Sequence, residues 1–339
     1  MAEQVKVAIN GFGRIGRTFF KQAAENPAID LVAINDLGDI NDLAYLLKYD
    51  SVTGRYNKEV AIQDGNLVVG GKTIKFLQQK DPAMLPWGDL GIDVVIESTG
   101  FFTTTEKSQA HIKAGAKRVI ISAPAEDGEV TPTATPNVNI SALKDGAVSS
   151  NGSCTTNATT PIVSLMMQNP GIEKAILNTV HAYTATQSLV DGPTRGHDFR
   201  KGRSAPNNIV PSHTGAAISV GMAIPGIKEK FDGVSMRVPV IAGSIIDFTF
   251  VAKRKTSVEE INSIFTQAAQ SPEWQGVLKV TTEPLVSRDI LGEPYGSIVD
   301  LSFTRVVDGD LVKIFSWYDN EYGYCAMLLR HTLEVAKLL

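Results

Sequence analysis

Residues 5–17 read VKVAINGFGRIGR, an apolar run followed by three glycines in the spacing G-x-G-x-x-G. The apolar run predicts a buried strand, and the helical spacing of apolar residues over 14–25 predicts a helix directly after the glycines. A second strand-like run, Leu31–Asn35, completes a βαβ unit. Glycines at this turn allow a tight bend, close approach of a pyrophosphate and helix–strand packing. The stretch therefore predicts a dinucleotide-binding fold, with Gly11, Gly13 and Gly16 as cofactor-binding residues.

The kind of dinucleotide is indicated by an acidic residue beyond the glycines. Asp36 stands at the end of the second predicted strand, where its carboxylate would accept hydrogen bonds from the adenosine ribose. The same negative charge would repel a 2′-phosphate. The sequence therefore predicts NAD rather than NADP.

The strand and helix pattern continues through the first half of the chain. Asp93–Ser98 and Arg118–Ser122 are strand-like runs that bracket a predicted helix, Thr104–Ala114, and residues 61–77 have the turn signals of a strand and hairpin. Strands that alternate with helices predict a doubly wound, parallel sheet.

After Cys154 the predicted strands become longer, which favours antiparallel pairing. The predicted fold class is thus α/β plus α+β: a Rossmann-type, doubly wound NAD-binding domain and a catalytic domain built on a largely antiparallel sheet. The predicted boundaries are 1–151 for the first domain, completed by the C-terminal helix 319–339, and 152–318 for the second.

Length and composition exclude several classes of function. The chain of 339 residues is too long for one core, and its net charge of −4 is too small to indicate a nucleic-acid partner. Its two cysteines form no metal-spaced cluster, so we expect no metal and a reducing compartment. No apolar run reaches membrane-spanning length and the N-terminus has no signal pattern, so we expect a cytoplasmic protein without a membrane partner.

Cys154 is the strongest candidate for a nucleophile. It lies where a β-rich segment turns into a predicted helix, and Ser153 before it is a favourable N-cap residue. The unpaired N–H groups of a first helical turn favour the thiolate form of a cysteine. We therefore expect Cys154 to react as a thiolate.

Chain geometry selects His181 as the base for this thiol. A helix over 154–168 advances about 21 Å, and a strand over 174–181 returns about 23 Å, which brings His181 level with Cys154. Pro161 is expected to kink or shorten the helix.

The other histidines are weaker candidates for the base. His111 falls on a helix that we expect to be solvated, and His331 lies in the terminal helix. His197 and His213 lie in predicted loops, and spacing does not exclude them.

Hydroxyl, backbone and guanidinium donors could bind phosphate groups near the thiol. A loop with four basic residues, Arg195 to Arg203, either supplies such charge or forms a solvated face or subunit contact. The individual candidates are Thr155, Thr184, Thr186, Thr214, Gly215 and Arg237.

Taken together, these residues make the chain closely resemble the phosphorylating glyceraldehyde-3-phosphate dehydrogenases over essentially its whole length. The motifs that carry the resemblance are NGFGRIGR at 10–17, LKYDS at 47–51, ESTGF at 97–101, ISAP at 121–124, SCTTN at 153–157, HAYTATQ at 181–187 and WYDNE at 317–321.

The resemblance implies roles for particular residues. Cys154 would be the nucleophile and His181 its base. Contacts with the substrate phosphate and the incoming phosphate would come from Ser153, Thr155, Thr184, Thr214, Gly215 and Arg237. Contacts with NAD would come from Arg14, Ile15, Asp36, Lys80, Ser122 and Asn320.

The resemblance also implies an activity and an assembly. The reaction would be the oxidation of glyceraldehyde 3-phosphate to 1,3-bisphosphoglycerate in glycolysis and gluconeogenesis, with NAD⁺ and inorganic phosphate, through a hemithioacetal and a thioester on Cys154. The protein would be a homotetramer with residues 185–205 at a subunit contact. Two alternatives stay open: an erythrose-4-phosphate dehydrogenase, and a non-catalytic NAD-binding regulator.

Overall fold

A computed structural model describes residues 4–194 and 198–339, and the chain divides into two compact units. The first unit contains Met1–Gly152 and Cys325–Leu339, and the second contains Ser153–Tyr324. Among the described residues, no helix is both long enough and apolar enough to cross a membrane.

In its described residues, the first unit is built from helices and ten strands; eight of the strands form one sheet, and the third and fourth pair separately. Its elements are, in chain order, β1 Val5–Asn10, α1 Arg14–Ala23, β2 Ile29–Asn35, α2 Ile40–Lys48, β3 Tyr49–Asp50, β4 Gly54–Arg55, β5 Val60–Gln63, β6 Asn66–Val69, β7 Lys72–Leu77, α3 Trp87–Leu90, β8 Val94–Glu97, α4 Thr105–Lys113, β9 Arg118–Ile121 and β10 Val148–Ser150.

The strand order of this sheet is β10-β9-β8-β1-β2-β7-β6-β5. The six strands from β10 to β7 pair in parallel, and the β5–β7 segment adds two antiparallel edge strands. From β1 the chain first builds outward through β2 and then returns to the other side of β1 with β8. The sheet is therefore doubly wound, and its topological switch point lies between β1 and β8, where such folds bind ligands.

The interior of this sheet explains its continuous apolar strands. Val7, Ala8 and Ile9 of β1 are fully buried, because a parallel sheet with helices on its faces has no solvated side. Helix α1 packs on β1 and β2, and α4 packs on β9 and β10.

The second unit contains a seven-stranded sheet. Its elements are, in chain order, α5 Cys154–Gln168, β11 Ile172–Ala182, β12 Val210–His213, α6 Ala216–Ala223, β13 Phe231–Val238, β14 Ser244–Ala252, α7 Val258–Gln270, β15 Leu278–Thr281, β16 Ser297–Val307 and β17 Leu311–Tyr318, and α8 Tyr322–Ala336 then leads back to the first unit.

The order of the second sheet is β12-β13-β11-β14-β17-β16-β15. Only β11 with β13 and β15 with β16 pair in parallel, so the sheet is largely antiparallel, as the sequence predicts. Helix α5 packs on β11, β14, β16 and β17. The predicted fold class is confirmed for both units.

Two details of the second unit differ from the sequence interpretation. Helix α5 continues past Pro161 to Gln168, so the expected shortening at this proline is wrong. The compact units also change at Gly152/Ser153 and Tyr324/Cys325, later than the boundaries at 151 and 318 that we predicted. Asp319, just after β17, contacts the second unit, where its carboxylate accepts the N–H of Gly292 at 2.9 Å.

Six short 3-10 segments connect the larger elements of the described chain. They are Pro82–Met84, Ile140–Asp145, Phe199–Gly202, Ala205–Asn207, Pro225–Ile227 and Ser287–Ile290.

His331 in α8 is a fully buried histidine of the first unit. Its Nε2 lies 2.9 Å from Ser149 Oγ, and its Nδ1 lies 3.1 Å from Asn151 Oδ1. Because the amide oxygen can only accept, Nδ1 donates and Nε2 accepts, which is the pattern of a neutral imidazole. Burial lowers the pKa of His331 to about 3. This histidine thus ties the terminal helix to the segment that precedes Cys154.

The buried His331 predicts a loss of stability in acid. The unfolded chain binds a proton at this residue below about pH 6.5, whereas the folded chain resists it down to about pH 3. Above about pH 6.5 the titration of His331 therefore has no effect on the free energy of unfolding. Below it, the free energy of unfolding falls by about 1.4 kcal/mol per pH unit. We expect His331→Gln to reduce the slope of unfolding free energy against pH by about this amount, measured by urea denaturation between about pH 6 and pH 4.

His213 offers the control for this experiment, because its side chain is exposed on β12. His213→Gln removes an exposed histidine and measures the change in slope that the loss of a histidine causes without burial. An unchanged slope in His331→Gln would contradict the assignment of a neutral, buried imidazole.

Candidate active site

Cys154 is the first residue of α5, and the local sequence fixes the start of this helix. The Ser153 hydroxyl accepts the N–H of Thr156 at 3.0 Å, and the Thr156 hydroxyl accepts the N–H of Ser153 at 3.1 Å. This reciprocal capping box stabilises a helix start by about 1 kcal/mol. It places Cys154 in the first helical turn, where the residue as a whole keeps some exposure although its thiol is desolvated.

His181 lies near the end of β11, and its Nε2 is 3.3 Å from Cys154 Sγ. Helix α5 leads away from Cys154, and the chain reverses at Asn169–Gly171 and returns along β11, which packs on α5. The structure therefore brings together the two residues that the sequence selected as nucleophile and base.

Arg237 is the residue of β13 that pairs with His181 in the register of the two parallel strands. Its Nη1 lies 2.9 Å from His181 Nδ1 and donates to the carbonyl oxygen of Ala182 at 3.2 Å. The sequence signal for Arg237 was its place at a strand end, but only strand pairing sets it beside the imidazole.

The contacts of Nδ1 determine the tautomer of the His181 imidazole. Nδ1 lies 2.6 Å from the carbonyl oxygen of Ala182, which can only accept. Arg237 Nη1, which can only donate, lies farther from Nδ1 at 2.9 Å and has the Ala182 carbonyl oxygen as its own acceptor. The shorter contact assigns the proton to Nδ1, which leaves the lone pair of Nε2 directed at Cys154 Sγ. This tautomer can receive a proton from the thiol.

The electrostatics of the pair differ from the expectation of a resting thiolate. Burial raises the pKa of the Cys154 thiol, against the opposing effects of the Arg237 charge and the hydrogen bonds of the first helical turn. Burial and the Arg237 charge lower the pKa of His181 to about 3. Both shifts favour a neutral thiol beside a neutral imidazole, and the hydrogen bonds of the first helical turn do not outweigh the burial of the sulfur.

Tyr318 is a buried residue of this site that the sequence interpretation missed as an individual residue. Its hydroxyl lies 2.9 Å from Thr155 Oγ1 and 2.8 Å from Thr179 Oγ1, and its ring makes an edge contact with His181. Burial raises the pKa of Tyr318. Its only sequence signal is its position in the motif WYDNE.

The predicted phosphate donors occupy separate places. The hydroxyl groups of Thr184 and Thr186 lie 3.0 Å apart, beyond the end of β11. Thr214 accepts the N–H of Ala216 at 3.2 Å, and Gly215 is the N-cap residue of α6. The Thr155 hydroxyl is instead bound to Tyr318, inside the unit.

Two arginines of the basic loop form ion pairs with nearby aspartates. Arg200 contacts Asp198 and Arg203 contacts Asp191, both at 2.8 Å. Arg195 and His197 lie outside the described residues, so the predictions for them stay open.

The glycine turn of the first unit has the close contacts that the dinucleotide motif requires. Gly11 has φ of +95°, and a Cβ there would lie 2.7 Å from Ser98 C. A Cβ on Gly16 would collide with the carbonyl oxygen of Gly11. Gly13 is the N-cap residue of α1, where no side chain caps the helix and no acidic residue lies in its first turn. These features suit a pyrophosphate at the helix N-terminus.

Asp36 follows β2 and lies beside this turn. Its carboxylate accepts the N–H of Phe12 at 2.6 Å and the N–H of Gly38 at 2.8 Å. Arg14 and Asp50 form an ion pair at 3.1 Å. The position of Asp36 at a strand end suits a ribose, while its bond to Phe12 also braces the glycine turn.

The other predicted cofactor residues lie as follows. Ile15 is in the first turn of α1, Lys80 is exposed after β7, and Ser122 donates its N–H to the carbonyl oxygen of Glu97 at 2.9 Å. Asn320 belongs to the second unit, where its Oδ1 accepts from Gly243 N and Ser244 Oγ, each at 3.0 Å.

Metal ligation has no candidate in the ranges 4–194 and 198–339. No group of three or more histidine, cysteine, aspartate or glutamate side chains in these ranges could hold a metal ion.

Two family models match the chain. Residues 5–105 match "Glyceraldehyde 3-phosphate dehydrogenase, NAD binding domain", and residues 153–320 match "Glyceraldehyde 3-phosphate dehydrogenase, C-terminal domain". These matches correspond to the sheet with the glycine turn and to the sheet that carries Cys154 and His181.

Curated relatives match nearly the whole chain. Glyceraldehyde-3-phosphate dehydrogenase of Clostridium pasteurianum is 48% identical over 97% of both chains. The proteins of the same name from Clostridium acetobutylicum and Geobacillus stearothermophilus are each 46% identical, over 98% and 94% of this chain and 99% and 95% of their own lengths.

The fold and the site define an NAD-dependent oxidoreductase with a doubly wound cofactor domain and a cysteine–histidine pair. The chain belongs to the glyceraldehyde-3-phosphate dehydrogenase family.

Arg237 provides a test of the site's electrostatics. Because its charge lowers the pKa of Cys154, Arg237→Leu should raise the pKa of this thiol, so that the ultraviolet absorbance of the thiolate appears at higher pH than in the wild type. Cys154→Ser supplies the blank for the other absorbing groups. Arg237→Lys retains the charge and should move the midpoint less. Identical midpoints for the wild type and Arg237→Leu would contradict this account.

Asp36 provides a test of cofactor choice. Asp36→Ala should weaken NAD binding and narrow the preference for NAD over NADP, because it removes a ribose acceptor and a charge that repels the 2′-phosphate. Titration calorimetry with both cofactors measures the two affinities. Asp42→Ala removes an equal charge from the exposed side of α2 and is the matched control. If the ratio of affinities does not change in Asp36→Ala, Asp36 does not bind the ribose.

Proposed function

We propose that the protein oxidises glyceraldehyde 3-phosphate to 1,3-bisphosphoglycerate, with NAD⁺ and inorganic phosphate, as a step of glycolysis and gluconeogenesis. The observation that carries this proposal is the 3.3 Å contact between Cys154 Sγ and His181 Nε2 in a chain of this family. A thiol beside a base is the arrangement required to form a covalent acyl intermediate.

In the first step the Cys154 sulfur adds to the aldehyde carbon. The neutral imidazole takes the thiol proton at Nε2 as the carbon–sulfur bond forms, and then passes it to the carbonyl oxygen. The product is a hemithioacetal on Cys154. A neutral pair in the free protein is compatible with this step, because proton transfer and attack occur together.

In the second step the hemithioacetal is oxidised to a thioester. His181 takes the hydroxyl proton at Nε2 as the carbon–hydrogen bond breaks. NAD⁺, when bound, accepts the hydride. The thioester retains the free energy of the oxidation, which a carboxylic acid would lose to water.

In the third step a phosphate oxygen attacks the thioester carbon, and the sulfur leaves as a thiolate that recovers its proton from His181. The N–H groups of the first turn of α5, where Ser153 caps the helix, would stabilise the negative oxygen of the tetrahedral intermediate. The acyl phosphate is thereby released, and the Cys154 thiol is restored.

The reaction requires two anion sites, one for the phosphate of the substrate and one for the incoming phosphate. We assign them to the predicted donors. Arg237 is supported by its contact with His181, and Thr214 and Gly215 by their place at the start of α6. The remaining assigned donors are Ser153, Thr155, Thr184 and Thr186.

NAD contacts are assigned to Gly11, Gly13 and Gly16 at the turn, to Asp36 at the ribose and to Asn320 at the nicotinamide amide. The close approach of Gly16 to Gly11 and the start of α1 support the first group. The further assigned contacts are Arg14, Ile15, Lys80 and Ser122.

We further propose a homotetramer in the cytoplasm. Ile176, Val234 and Met236 expose apolar side chains on the second sheet, and the loop after β11 exposes Leu189 and Phe199. Exposed apolar side chains of this kind suit contacts between subunits. A reducing compartment is required to keep the Cys154 thiol available.

The decisive experiment measures NADH formation from glyceraldehyde 3-phosphate with and without inorganic phosphate. We expect sustained turnover only with phosphate, and an acyl phosphate as the product.

Cys154→Ser should abolish turnover and retain NAD affinity, because the thiol is needed for the chemical steps and not for binding the cofactor.

The same assay separates the alternatives. A carboxylic acid product in the presence of phosphate, or faster oxidation of erythrose 4-phosphate, would favour the erythrose-4-phosphate dehydrogenase. NAD binding without turnover of either aldehyde would favour a non-catalytic regulator.

A further inference from the structure

A buried polar network lies at the switch point of the first sheet, and the proposed chemistry does not use it. Glu97, the last residue of β8, is at its centre and is 2% exposed. Its Oε2 accepts Asn10 Nδ2 at 2.6 Å, and its Oε1 accepts the N–H and the hydroxyl of Thr99 at 2.8 and 2.5 Å. His111 Nε2 lies 3.1 Å from the same Oε2.

His111 is held in one tautomer by Trp87. The Trp87 indole N–H, which can only donate, donates to His111 Nδ1 at 3.0 Å. Nε2 therefore carries the proton of the neutral ring and donates to Glu97. His111 is fully buried, so the expectation that it lies on a solvated helix is wrong. The reason is that the Trp87 and Phe102 rings pack against it.

Every partner of the Glu97 carboxylate is thus a donor. Four donors on two oxygens are the arrangement of a carboxylate that carries no proton. A buried charge is costly unless its hydrogen bonds are satisfied, and a fully satisfied network specifies one conformation. The network therefore fixes the positions of the groups that it binds.

One arm of the network reaches the glycine turn. Glu97 binds Thr99, and the peptide bond between Ser98 and Thr99 lies close to Gly11. A Cβ on Gly11 would lie 2.7 Å from both Ser98 C and Thr99 N. The Ser98 hydroxyl lies 2.7 Å from the carbonyl oxygen of Gly11, to which it donates. The Glu97 side chain therefore sets the wall against which the first glycine of the turn rests.

The other arm reaches the residues proposed for the ribose. Asn10 and Asn35, the last residues of β1 and β2, are in register, and Asn35 Nδ2 donates to Asn10 Oδ1 at 2.7 Å. Asn35 also accepts the N–H of Gln79 at 2.8 Å and donates to its carbonyl oxygen at 2.9 Å. Asn35 directly precedes Asp36, and Gln79 directly precedes Lys80.

We propose that Glu97, oriented by His111, is a positioning residue for NAD: it aligns the glycine turn, the segment 98–101 and the Gln79 backbone into one cofactor-binding edge. It touches none of the reacting atoms. The proposal rests on the NAD site assigned above.

The test compares two substitutions at His111 and one at Glu97 in the full-length protein. Glu97→Gln places an NH₂ group against two donors, and His111→Leu removes one donor from the carboxylate. We expect each to raise the dissociation constant for NAD⁺ by about tenfold, the effect of one unsatisfied buried hydrogen bond, measured by titration calorimetry. His111→Gln retains a donor and should bind NAD⁺ more tightly than His111→Leu.

A merely structural role would have a different outcome. Leu67→Ala truncates a fully buried side chain in β6 of the same unit and should lower the melting temperature with little change in NAD⁺ affinity. In Glu97→Gln and His111→Leu, KM for NAD⁺ should rise while kcat and the alkylation rate of Cys154 stay near the wild type. If Leu67→Ala lowers the melting temperature as much as Glu97→Gln or His111→Leu does, and also weakens NAD⁺ binding as much, the loss of affinity is a general effect of destabilisation and the proposal is overturned.

Two further outcomes are distinguishable. If Glu97→Gln does not fold, Thr99→Val removes the hydroxyl partner of Glu97, and an unchanged dissociation constant there would overturn the proposal. If the wild type itself fails to bind NAD⁺, the assigned NAD site is wrong. If the wild type binds NAD⁺ and the variants bind it equally well, only the role of Glu97 is wrong.

Discussion

The contact between Cys154 and His181 depends on a single packing constraint in the second unit. Helix α5 begins at Cys154 because Ser153 caps it, and β11 returns alongside the same helix to end just after His181. The two side chains meet at 3.3 Å because a short reversal joins α5 to a strand that packs back along the helix. Arg237 and Tyr318 then take their places from the pairing of β13 with β11 and of β17 with β14.

Burial acts on this site in two directions. It raises the pKa of the thiol and lowers the pKa of the imidazole, so both shifts favour the uncharged forms. The same exclusion of water strengthens the N–H groups of α5 and the Arg237 charge where negative charge develops during the reaction. A neutral pair at rest and a stabilised anion in the transition state are therefore consistent consequences of one environment.

Sequence patterns with a fixed period were reliable guides to the fold. The apolar run and glycines of residues 5–17 predicted β1, the turn and α1, and the longer runs after Cys154 predicted a largely antiparallel sheet. The sequence patterns did not predict β12 and α6, because elements of four and eight residues contain too few repeats of the strand or helix period. Of the two effects predicted for Pro161, a kink or a shortened helix, the shortening is wrong, because the packing of α5 on four strands retains a helix that propensity alone would end.

The sequence by itself determined which chemistry is available: a thiol after an N-cap serine, a histidine at a strand end, and glycines with a following aspartate. These features are local, and short-range sterics and hydrogen bonding fix them. Only the tertiary structure decided in which direction the pKa of Cys154 shifts and that His111 and His331 are buried. Residues distant in the chain exclude water from these side chains and supply the hydrogen-bond partners of the two histidines. Desolvation is a property of the packed molecule, and no spacing in the chain records it.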